Sequence, residues 1–181
     1  MKKIIAFIFG LVLLLGIVPF SIAQENVAVK EENKEEVLVN ISSFELFWPI
    51  SAGKTIDDSF YWLKNIKEDL RGLLIFGKLQ KADYATFLTI KRIVESEKLI
   101  NENKTDLADK TLQKANKQLE IAEISIDKTL SYGGGLTGLD VMHDRLLKLE
   151  IFIPKLLEIA GGNKGLLEET LVKVQSLLEK F

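Results

Sequence analysis

The chain has 181 residues, 24 of them basic and 26 acidic, with 47% apolar residues and no cysteine. That length and apolar content suffice for one buried core, while the near-neutral charge lacks the basic excess that a phosphate backbone requires, so no nucleic acid is expected as a partner. The lack of cysteine excludes disulfides, thiolate metal sites, a cysteine nucleophile and a lipidated cysteine.

Met1-Lys2-Lys3 is a short positive stretch, and Ile4 to Val18 is an uncharged run rich in Leu, Ile, Phe and Val. Pro19 and Phe20 break it, and Ser21-Ile22-Ala23 places small residues before a cleavage point at Gln24. Residues 1–23 thus have the pattern of an export signal, with the lysines held on the cytoplasmic side. The rival reading is an uncleaved anchor, since Ile4 to Ala23 carries no charge and is long enough to span a bilayer. On either reading an extracytoplasmic location is expected, secreted or anchored to the cytoplasmic membrane.

Residues 24–40 are rich in Glu, Lys and Asn and read as a charged, solvated tether. The acids Glu31, Glu32, Glu35 and Glu36 lack the spacing of a calcium loop. A helical domain is expected over residues 41–181. It opens with an apolar stretch, Ile41 to Ile50, in which Pro49 blocks helix continuation. Thr55 with Asp58 has the spacing of a cap for a helix over about 56–76. Leu63, Ile66, Leu70 and Leu73 line one face of that helix, and Gly77 is read as its C-terminal cap.

The next helix, about 79–101, is apolar around much of its circumference, through Tyr84, Phe87, Leu88, Ile90, Ile93, Val94, Leu99 and Ile100. It is expected to be buried on more than one side. Asn103 or Thr105 is read as the cap of a helix reaching about Leu130, roughly 39 Å long at 1.5 Å per residue. Its seam is regular: Ala108, Leu112, Ala115, Leu119, Ala122, Ile126. Small residues alternating with large ones let two backbones approach closely. The short link makes this helix antiparallel to the one before it.

Ser131-Tyr132-Gly133-Gly134-Gly135 is a strong breaker. Thr137 with Asp140 repeats the cap pattern for a helix carrying Leu139, Met142, Leu146, Leu149, Ile153 and Leu156. Pro154 is expected to kink or restart it near Phe152. Gly161-Gly162 ends it, and Asn163 is read as the cap of a last helix with Leu167, Leu171, Val174, Leu178 and Phe181 as its seam. Four to five amphipathic helices and no strand predict an all-α, elongated up-and-down bundle.

Little in the sequence points to reaction chemistry. His143, the only histidine, is flanked by Asp140 and Asp144. Without a second histidine, HExxH or GxSxG it reads as a polar position beside a core stripe. The three glycines at 133–135 precede a helix but no Gly-Lys-Ser/Thr follows, and Gly53-Lys54-Thr55 lacks the upstream glycine of a phosphate loop. The aromatic set Phe44, Phe47, Trp48, Phe60, Tyr61 and Trp62 carries the most unusual local content. It reads first as cover for one end of the core, its alternative role being the candidate partner or ligand surface. Trp48 and Trp62 would suit a membrane interface if the N-terminus stays embedded.

Pro49-Ile50-Ser51-Ala52-Gly53, Asp58-Ser59-Phe60-Tyr61-Trp62-Leu63-Lys64, Glu68, Leu73-Leu74-Ile75-Phe76, Lys81-Ala82, the run Lys91 to Ile100 and Asp106-Leu107-Ala108 follow one another in a distinctive order. Over about residues 48–126 the chain resembles a bacterial family of exported proteins known only as domain-of-unknown-function family 5667. The residues from Tyr132 onward stand outside the resemblance. It implies a signal-bearing, helical, extracytoplasmic protein and supplies no catalytic residue.

The expected function is that of a non-enzymatic interaction or scaffold module of the cell envelope. Its partner would be an envelope protein or a membrane surface, and no cofactor is expected. The alternative is a carrier holding a lipid or other apolar ligand between helices.

Overall fold

A computed structural model describes residues 42–181; the expected export segment and tether lie outside the described residues. A one-turn helix, Ser43–Leu46 (α1), comes first, followed by Tyr61–Leu73 (α2), Lys78–Asn101 (α3), Thr105–Ser131 (α4), Asp140–Ile159 (α5) and Lys164–Leu178 (α6). A single 3-10 turn, Gly161–Asn163, separates the last two, and there is no strand among the described residues.

The expected seams fold as a core. Ala108, Leu112, Ala115, Leu119, Ala122 and Ile126 of α4 are buried, as are Met142, Leu146, Leu149, Ile153 and Leu156 of α5 and Leu167 and Val174 of α6. In that last helix Leu171 and Leu178 are half-buried, Leu177 is buried, and Phe181, expected in the seam, is exposed. The helix predicted to be buried on several sides is α3, with Ile90, Ile93 and Leu99 fully enclosed. Buried hydroxyls on these helices are satisfied locally. Thr86, Thr89 and Thr111 each donate to the carbonyl four residues earlier, at 2.8–3.0 Å. These three threonines therefore sit in the core with their hydroxyls paired and let the backbones close up.

The helices are arranged as two antiparallel hairpins laid side by side. α3 packs on α4 and α5 packs on α6; across the hairpins α3 meets α5 and α4 meets α6. Contacts between α4 and α6 keep a nearly constant offset in sequence: Asn116 with Thr170, Glu120 with Lys173, Asp127 with Lys180. A constant offset marks parallel helices. Arg145 of α5 pairs in the same sense with Asp83 of α3. Chain direction alternates from α3 to α6, as an up-and-down bundle requires, with residues 132–139 crossing between the diagonal helices α4 and α5.

Several helix ends differ from expectation. Thr55 and Asp58 organise the turn before α2 rather than capping it: the Thr55 hydroxyl lies 2.6 Å from Asp57 Oδ1, and Asp58 accepts from the Phe60 N–H at 2.8 Å. Gly77 stands at the start of α3, in extended conformation, not at the end of α2. Asn103 closes α3 instead of opening α4. At φ 58° it is left-handed, and the N–H groups of Asn103 and Lys104 return to the carbonyls of Ile100 and Leu99 at 2.9 and 2.8 Å. Gly133 does the same for α4 at φ 72°. No side chain caps α4, α5 or α6. Thr105 is the first residue of α4, Thr137 lies before α5, and the Asn163 amide instead donates to the Thr105 carbonyl and to Asp109. α5 runs through Pro154 as one element without restarting. The one-turn helix α1 carries a full capping box, Ser42 with Glu45.

Candidate functional site

The helix α2 is seated inside out. Its periodic leucines face solvent: Leu63 is 48% exposed, Ile66 48%, Leu70 56% and Leu73 73%, with Trp62 at 56%, Leu74 at 73% and Phe76 at 91%. The inward face carries Tyr61, Lys64, Asn65 and Glu68 instead. Backbone packing as close as that within the hairpins is absent; long side chains bridge α2 to the bundle.

Those side chains form a buried ionic network. Glu95 of α3 has a side chain with no solvent exposure. It accepts from Arg92 at 2.8 and 3.0 Å and is paired with Lys64 of α2. Glu68 of α2 is held by Lys91 and by the other arm of Arg92. The Tyr84 hydroxyl donates to the Glu68 carbonyl at 3.0 Å. Lys64 also donates to the carbonyl of Lys54 at 2.8 Å, which ties the preceding loop into the cluster. Tyr61 sits in the middle. Its hydroxyl lies 3.4 Å from Glu95 and from Lys114 of α4, whose ammonium stands 4.7 Å from the ring centroid.

The electrostatics follow from burial. Desolvation pushes the Tyr61 phenol well above its ordinary range, helped by the negative charge of Glu95. Burial likewise lowers Lys64 and Lys114. Arg92 loses to burial but gains more from Glu95 and Glu68, so its guanidinium is held charged more firmly than usual. Four cations (Lys64, Lys91, Arg92 and Lys114) face two carboxylates, with every carboxylate oxygen directed at a donor. The network binds α2 to the bundle by its polar face, and among the described residues none covers the apolar face.

The structure separates the six aromatic candidates. Phe47, 3% exposed, packs edge-on against Phe152 of α5 at 5.4 Å and belongs to the core. Tyr61 belongs to the ionic network. Phe44 and Trp48 pair with each other at 4.8 Å and are exposed, and Phe60 and Trp62 are exposed at the head of the α2 face. Lys54 covers the Phe60 ring at 4.6 Å. His143 packs against Phe181, ring centres 5.0 Å apart. Among the described residues no group of His, Asp or Glu has metal-site geometry, and no helix is long and apolar enough to cross a membrane.

A groove of about 400 Å³ opens between α1, the following loop and the end of α3, lined by Phe44, Ile50, Ala52, Val94 and Glu97 among others. Burial raises the Glu97 carboxyl. The groove lies at the edge of the α3–α6 bundle, whose seam residues are buried.

Paired helical hairpins with a further helix held on them by a buried ionic network define an all-helical bundle domain. The chain belongs to the family described as Domain of unknown function (DUF5667), whose profile matches residues 53–179. The match runs through α5 and all of α6, so the final third is part of the family domain, beyond the 48–126 span of the expected resemblance. Tyr61, Lys64, Glu68, Lys91, Arg92 and Glu95 all lie in the stretches that carry that resemblance. No curated protein and no solved structure matches the chain.

Proposed function

We propose that this protein is an exported, non-enzymatic helical module that works at the cell envelope by surface contact, with the outward face of α2 as its contact surface. One observation carries the reading: the most regular apolar stripe before α3 is turned to solvent, while ion pairs fix the same helix by its polar side. Exposed patches of this kind mark interaction surfaces on folded domains. The positive start, apolar run and small-residue site within residues 1–23 support export.

Photo-crosslinking in cells tests it. A photoreactive residue at position 70 of the full-length chain is expected to form adducts with protein or lipid of the envelope, and one at exposed position 117 is not. No adduct at 70, or recovery of the chain from the cytoplasm with its N-terminus intact, contradicts the reading.

A further inference from the structure

Resting on that reading, we propose that the occupant of the α2 face is the anionic surface of a lipid bilayer, with α2 lying in the plane of the interface. Trp62, Leu63, Ile66, Leu70, Leu73 and Leu74 fall on one arc of the helix, and Phe60 and Phe76 flank it at the two ends. Aromatic residues at the ends of an apolar stripe suit the boundary between headgroups and acyl chains. With 13 residues, α2 is about 20 Å long. It is too short to cross a bilayer and fits one lying flat.

Charge selects lipid over a second copy. Lys67 and Arg71, four residues apart and both exposed, run along one edge of the arc. Of the two acids in α2, Glu68 is turned inward and neutralised by Lys91 and Arg92, which leaves Asp69 alone on the opposite edge. Antiparallel pairing of two copies would set Lys67 and Arg71 of one against the same residues of the other, and parallel pairing would meet these two cations with the single acid Asp69. A bilayer carrying negative headgroups instead meets that edge with opposite charge. With residues 1–23 retained as an anchor, a second attachment lies within the same chain. The uncharged run Ile4 to Ala23 is followed by a 17-residue tether, 24–40, which extends at most about 60 Å. Two weak attachments to one surface reinforce each other.

The chain has no cysteine of its own, so single cysteines placed at Ile66, Leu70 and Lys117 of the full chain can each carry a nitroxide. Collision with oxygen and with a water-soluble nickel chelate is read in phosphatidylcholine vesicles with and without phosphatidylglycerol. Expected in anionic vesicles is a severalfold loss of nickel collisions and gain of oxygen collisions at 66 and 70, with none at 117. The double variant K67E/R71E should lose most of that effect, as should high salt. Labels at 66 and 70 that stay as open to nickel as 117 overturn the proposal, and so does protection indifferent to phosphatidylglycerol. Spin–spin broadening at 70 overturns it in favour of a second copy. A protein-only crosslink at 70 in cells leaves the module reading standing and removes the lipid one; absence of any crosslink removes both.

Discussion

Lys64 of α2 reaches the carboxylate of Glu95 on α3, a side chain with no contact with solvent. Removing two such charges from water costs several kcal/mol per ion, and the attraction between them offsets this only when the remaining hydrogen-bond positions are filled. Here they are, by the two bonds from Arg92 and the contact with Tyr61. The pair therefore contributes orientation more than net stability. It admits only one rotation of α2 about its axis, the one that directs Leu63, Ile66 and Leu70 outward.

Deleting one partner should be severe. Glu95→Ala leaves Arg92 and Lys64 buried against each other, and a loss of about 3–5 kcal/mol is expected, as for other broken buried pairs. Urea unfolding followed by circular dichroism measures it. A loss below about 1 kcal/mol, the scale of an exposed pair, would mean that the network is solvated.

A second ion pair acts at the surface and gives a pH signature. The Lys104 ammonium, bonded to Asp57 and Glu102, is raised to about 12, and Asp57, bonded to Lys104 and Thr55, is lowered to about 2. The Asp57 contribution is present above its ordinary 3.8 and is lost as pH falls towards 2. That of Lys104 is full below 10.5 and is lost as pH rises towards 12. Carbon-detected NMR titration should find the Asp57 carboxyl half-protonated near pH 2. In Lys104→Met the midpoint should move back towards 3.8, only part of the way because the Thr55 hydroxyl remains. An unchanged midpoint would show that Lys104 is not its partner. Both groups are exposed, so little change in overall stability accompanies the shift.

The close of α3 makes a different demand. Asn103 adopts φ 58°, a region that a β-branched side chain enters only at a cost of about 1–2 kcal/mol. Asn103→Val should lose that amount in thermal or urea unfolding, whereas Asn103→Gly should be neutral or slightly stabilising. Equal behaviour of the two variants would place residue 103 in another conformation.

Core seams were legible in the sequence because they follow one rule: apolar side chains recurring at three and four residues meet a neighbouring helix. Leu112→Ala, at a fully buried seam position, should accordingly cost about 2–5 kcal/mol. The same rule finds the stripe of α2 but not its direction. Amphipathic spacing says that two faces differ; which one meets protein depends on the complementary surface. Here that surface is Lys91, Arg92 and Glu95, charges of α3 that the spacing alone does not separate from its solvent-facing ones such as Lys81 and Lys98. Adjacent aromatics mislead for a related reason. Phe60, Tyr61 and Trp62 step around the helix start by about 100° each, so Tyr61 turns into the ionic network while its neighbours turn out. The caps assigned to Thr55, Asn103 and Thr137 failed because a short polar residue near a helix end serves equally well in a turn or at a left-handed terminus.

Rotation of α2 about its own axis is the claim on which the rest depends, and thiol labelling reads it directly. Single cysteines at Leu70 and Glu68 of the otherwise cysteine-free chain, each checked for native helix content, are exposed to a membrane-impermeant maleimide in the absence of lipid. Position 70 should react at the rate of a free thiol, and position 68 should react far more slowly, since it sits under Lys91 and Arg92. Fast labelling at 68 with protection at 70 would put the leucines inside, and the account of this surface would be wrong.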